Sequence, residues 1–100
     1  LNKRLMVIGF GTLTFRLHEC QGLKEKRKII KSIIARSRNS FNAAIAEVDF
    51  NDMHQRAKIG FALVGNDRRT INSQMDKLYD FICRLELAEV TDMETEIHNI

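Results

Sequence analysis

Two segments of the chain space their apolar residues every three or four positions, and strand-like runs precede, separate and follow them. That alternation of period allows few architectures, because each stretch must bury a face of its own shape against the others. From Met6 to Leu17, MVIGFGTLTFRL is rich in β-branched and aromatic residues and predicts a long first strand, ended by the polar break His18 to Gly22. A helix is expected from Leu23 to about Asn39, with Gly22 as its cap and Glu25 reaching back as in a capping box. Ala43 to Val48 reads as a short second strand, Asp49 to Arg56 as a polar hairpin loop, and Lys58 to Val64 as the third strand. Gly65, Asn66 and Asp67 mark a turn, with Asp67 or Asn66 capping a second helix whose Ile71, Met75, Leu78, Ile82 and Leu85 share one face. Val90 to Ile97 closes the set as a strand, with Thr91, Met93, Thr95 and Ile97 on one side and Asp92, Glu94 and Glu96 on a wet one.

The order is βαββαβ. Right-handed crossovers then place both helices on one face of a four-stranded antiparallel sheet, an α+β sandwich of the ferredoxin-like type. One hundred residues, 44% of them hydrophobic, suffice for one core and not for two, so residues 1–100 are expected to form a single domain. The chain holds no proline and no low-complexity run, which leaves no candidate linker. Apolar runs such as Leu5 to Phe10 are far shorter than the ~20 residues that span a bilayer. No signal-peptide pattern opens the sequence, and a cytoplasmic protein without a membrane partner is expected. Cys20 and Cys83 are too few for a disulfide scaffold and are expected to be free thiols.

Charge is unevenly placed. Residues 1–50 carry 10 basic and 4 acidic side chains, and residues 51–100 carry 6 and 9. The first helix concentrates the positive charge, with seven basic residues against one acidic from Leu23 to Arg38. At roughly 100° per residue, Lys24, Arg27, Lys28, Lys31 and Arg38 form a basic stripe about 100° wide, while Leu23, Ile30, Ile33 and Ile34 form an apolar one. Lys24, Lys26, Arg27 and Lys28 lie in the first turns, where the helix dipole disfavours cations by ~0.3 to 1 kcal/mol each. A phosphate ligand would offset that cost.

The runs GLKEKR at Gly22 to Arg27, AEVD at Ala46 to Asp49, HQRA at His54 to Ala57 and GND at Gly65 to Asp67 stand in an order that resembles the YlxP-like family of small bacterial proteins of unknown function. The likeness covers nearly all of the chain. It implies a ferredoxin-like fold and, because family members begin close to Met6, an N-terminal extension at Leu1 to Leu5. The family's genes often lie among those for transcription and translation factors, including a ribosome-binding factor, which points to RNA by association only.

Several other residue sets compete for a role. Phe10 and Phe61, on the two strands that are central in this fold, can be read as a base-stacking pair, although Ile8, Ile59 and Leu63 beside them suit a buried face or a subunit contact better. His18 and Cys20, with His54, His98 and Cys83, lack the paired spacing of a metal site. Asp49, Asp52 and His54 are an acid–base set without a nucleophile or phosphate loop, so neither catalysis nor a cofactor is expected. Gly9 and Gly11 fall inside a strand and are expected to allow close packing against a helix.

The expected function is association with RNA or a ribosomal particle through Lys24, Arg27, Lys28, Lys31 and Arg38, with His54, Gln55 and Arg56 as auxiliary contacts. The alternative is a homo-oligomeric structural or regulatory module that associates through its sheet.

Overall fold

The computed structural model describes residues 5–100, so most of the expected extension, residues 1–4, lies outside the described residues. Its elements are β1 (Val7–Arg16), α1 (Leu23–Ser40), β2 (Ala44–Asp49), β3 (Arg56–Gly65), α2 (Arg68–Leu85) and β4 (Glu89–Asn99). All pairings are antiparallel and the strand order is β2-β3-β1-β4, the ferredoxin-like arrangement the element order implied.

Alternation decides which side of the sheet is covered. Val7, Leu13 and Phe15 of β1, Ile45 of β2 and Ala57, Ile59, Phe61 and Leu63 of β3 point under the helices and are buried. Ile30 and Ile33 of α1 and Ile71, Met75, Leu78 and Ile82 of α2 meet them there. The residues between, such as Ile8, Phe10, Thr12, Ala62 and Val64, form an uncovered face. Phe10 is the register partner of Ala62 and Phe61 of Gly11, so the two rings lie on opposite sides of the sheet and cannot stack bases together. Phe61 is core, while Phe10 packs edge-on against His98 at 5.4 Å between centroids.

Two bulges alter the simple alternation. The β1/β4 register shifts between Thr14 and Phe15, which leaves Thr91 as the extra residue and brings Val90 opposite Phe15. Met93, Thr95 and Ile97 keep the covered side expected of them. Thr91 does not join them, and its hydroxyl donates to the Thr14 carbonyl at 3.2 Å. A second shift, between Glu47 and Asp49, leaves Val48 extra.

Helix ends follow from local chemistry. Asp67 caps α2, its Oδ2 accepting from the Thr70 amide at 2.9 Å and the Thr70 hydroxyl at 2.7 Å. Gly22 caps α1 without a side chain, and Glu25 reaches past it to accept the Gln21 amide at 3.2 Å. The box expected at Gly22 thus closes one residue earlier. Glycines let the layers approach, as a Cβ on Gly9 would come within 2.3 Å of Ile71 Cγ2. Gly11 differs from the expectation, because its nearest obstacle is the β4 backbone and not a helix.

Candidate nucleic-acid interface

Helix α1 packs against β2 and α2 and turns Lys24, Arg27, Lys28 and Lys31 outward, all exposed. Among the described residues none of these four forms an ion pair. Arg38 belongs to the same angular stripe, but its Nη2 donates to the Ile45 carbonyl at 2.7 Å. Because Ile45 lies on the edge strand β2, this bond fixes the stripe on the flank of α1 that overhangs that edge.

Lys26 corrects the sequence reading of the first turns. It is fully buried, and its Nζ lies 2.8 Å from Glu47 Oε2 and donates to the Phe50 carbonyl at 2.6 Å. This cation is compensated inside the protein and has no call on a phosphate. The contact joins two of the sequence runs, GLKEKR through Lys26 and AEVD through Glu47. It also clamps the β2–β3 loop, because the Phe50 carbonyl accepts the Met53 amide as well, at 3.0 Å. Ser37, the other buried polar residue of α1, has no hydrogen-bond partner for its hydroxyl.

The three auxiliary residues have separate surroundings. His54 is exposed in the loop. Gln55 donates its amide to the Cys20 carbonyl at 3.3 Å, and its own carbonyl accepts the Leu17 amide at 3.0 Å, so it ties the loop to the β1–α1 connection. Arg56 opens β3 with its guanidinium 4.1 Å from the centre of the Phe50 ring. Arg16, which the sequence reading passed over, is the direct register partner of Arg56. Only the strand register shows that neighbourhood.

His18 and Cys20 have separate surroundings. Strand β1 ends at Arg16, so His18 and Cys20 do not share a strand face. His18 Nε2 lies 2.6 Å from Glu89 Oε1, and Cys20 is buried with its thiol directed to the Gly22 carbonyl at 3.5 Å. Both cysteines are free thiols. Among the described residues no group of three or more His, Cys, Asp and Glu side chains could hold a metal ion, and no helix is long and apolar enough to cross a membrane.

Charge is polarised across the sheet. Asp92, Glu94 and Glu96 lie on β4, at the opposite edge from β2. The acidic segment therefore does not neutralise the exposed flank of α1.

Residues 8–95 match the family described as DUF503, protein of unknown function. The chain is 32% identical over 90 residues to the uncharacterized protein YlxP of Bacillus subtilis (strain 168), covering 90% of this chain and 98% of that one. Solved structures share the fold at low identity. A dimeric ferredoxin-like protein of unknown function from Thermobifida fusca superposes with a TM-score of 0.54 at 10% identity, covering 100% of this chain and 96% of the other. The de novo designed protein Foldit4 gives 0.51 at 16% identity, covering 95% and 96%.

Proposed function

The chain belongs to the DUF503 family of proteins of unknown function, and within that family we propose that it binds RNA, free or in a ribosomal particle, through the outer flank of α1. The observation that carries this reading is the row of Lys24, Arg27, Lys28 and Lys31, exposed, without carboxylate partners among the described residues, and separated from the acidic strand by the width of the sheet. Such a row attracts a polyanion through counterion release and reads little sequence. Arg38 adds charge at the far end of the row while holding the β2 edge. The reading has no catalytic step and places the protein in the cytoplasm, where ribosomes are assembled and work.

Retention of a short single-stranded RNA, followed by fluorescence anisotropy as salt is raised, tests it. With four phosphate contacts the logarithm of affinity should fall against that of salt with a slope of about −3. Reversing Lys24, Lys28 and Lys31 to Glu should abolish binding. Absence of binding by the unmodified protein at low salt would remove the proposal.

A second reading is favoured by the uncovered sheet face. Val48 and Val64 are 53% and 61% exposed there, beside Ala44, Ala46 and Ala62. The Thermobifida fusca protein of similar fold is described as dimeric. A stable dimer that ignores RNA would support association through the sheet in place of the basic helix.

A further inference from the structure

Arg16 and Arg56 stand directly opposite each other on β1 and β3, so both project from the same side of the sheet, and both are exposed. Like charges so placed repel. The carboxylate nearest in register is Glu89, on the other side of Arg16, and it is turned to His18. Among the described residues neither arginine has an ion-pair partner.

Arg56 is held in place by what lies beneath it. Its guanidinium rests on the Phe50 ring, and Phe50 sits at φ 60°, a left-handed conformation unfavourable for a bulky side chain. Three hydrogen bonds keep it there. Its amide donates to Asp49 Oδ1 at 2.7 Å, and its carbonyl accepts from Lys26 Nζ and the Met53 amide. A buried lysine and a strained residue thus combine to hold the ring on which Arg56 rests, a use of strain expected at binding sites. Beside the two lies a concavity of about 410 Å³ lined by Phe15, Arg16, Met53, Gln55, Arg56 and Thr91. Lys58, next to Arg56 on the same face, adds positive charge, partly offset by its register partner Asp49.

We propose that Arg16 and Arg56 together bind a phosphate group in this concavity. Two guanidinium forks match the oxygens of a phosphate and neutralise a dianion between them, and a bound anion offsets the repulsion between the two arginines. The site goes beyond the α1 reading and does not depend on it. Its phosphate comes either from a small phosphomonoester or from a nucleic-acid strand, and the chemistry of recognition is the same.

The full chain and its Arg16→Gln and Arg56→Gln variants are melted and titrated by NMR with inorganic phosphate, adenosine 5′-monophosphate and a short RNA, each against sodium chloride of equal ionic strength. The unmodified protein should gain thermal stability with phosphate or nucleotide beyond that given by chloride, with amide shifts at residues 14–17 and 50–57. Each Gln variant should lose about tenfold or more in affinity. Without ligand Arg16→Gln should melt no lower than the parent, because the opposed charges are gone, whereas Arg56→Gln also gives up the contact with the Phe50 ring. Arg16→Lys, which keeps the charge and loses the fork, guards against a variant that fails to fold and should also bind more weakly. A response to small phosphates identifies a phosphomonoester site, and a response to RNA alone that the Gln variants lose identifies a strand phosphate. No response beyond chloride, or a response that survives both Gln substitutions, overturns the proposal. A protein reversed at Lys24, Lys28 and Lys31 should keep its phosphate response, so that failure of one reading is distinguishable from failure of the other.

Discussion

Lys26 shows how one side chain can belong to a basic segment and not to its surface. Its ammonium is out of water, and removing such a charge from solvent costs several kcal/mol unless partners replace the hydration. Glu47 and the Phe50 carbonyl are those partners. Lys26→Met should therefore lower stability by about 3 to 5 kcal/mol in guanidinium unfolding, since it strands a half-buried carboxylate, whereas Lys26→Met with Glu47→Leu should recover most of the loss. A double variant as unstable as the single one would show that the loop clamp, and not the unpaired charge, is what matters. The helical wheel carries the signal for this residue, because Lys26 falls roughly 200° from Lys24, among Ile30 and Ile33. Asp67 is the contrasting exposed acid. The Thr70 hydroxyl, and then the Thr70 amide, hold its carboxyl below the ordinary value of 3.8. The unfolded chain therefore takes up this proton more readily, so the cap stabilises above the ordinary value and that support is lost as pH falls through the folded one. Asp67→Asn keeps a cap and should flatten the melting temperature against pH in that acid window.

Elements were legible where period alone decides them, and illegible where partners do. All six were readable from apolar spacing together with strand composition and turn residues, and the buried face of α2 emerged because Ile71, Met75, Leu78 and Ile82 repeat at helical intervals. Strand faces were not fully readable, because a shift of one residue in pairing turns every side chain over. Without a register Phe10 and Phe61 read as sharing one surface, and Thr91 leaves the side that alternation predicts for it at a bulge that leaves no mark in composition. The same gap hid Arg16 from Arg56. The exposed flank of α1 was readable from helical spacing; the removal of Lys26 and the anchoring of Arg38 depended on β2, whose distance from α1 spacing cannot give. The fit of α2 on β1 is open to direct test. At Gly9 a methyl group would overlap Ile71, which is itself only 4% exposed and cannot move aside without disturbing the core. Gly9→Ala should cost about 1 to 3 kcal/mol by denaturant unfolding, and an added Ile71→Val should return part of it.

The distribution of charge over the protein follows from strand order. With β2 and β4 at opposite edges, three inter-strand gaps of about 4.8 Å put the acidic column of β4 at least ~14 Å from the flank of α1. Whether that separation isolates the two charges depends on salt. The screening length is about 8 Å at 0.15 M ionic strength and about 30 Å at 0.01 M, so the acidic edge should be nearly invisible to a polyanion on α1 in the first case and repel it in the second. Replacing Glu94 and Glu96 by Gln should therefore leave RNA affinity within about twofold near 0.15 M and tighten it severalfold near 0.01 M, as read by anisotropy titration. An equal gain at both salts would mean that RNA lies against β4 itself, across the open sheet face. The α1 flank would then be only a solvated surface, because no contact confined to it could feel Glu94 and Glu96 through a screening layer thinner than the sheet is wide.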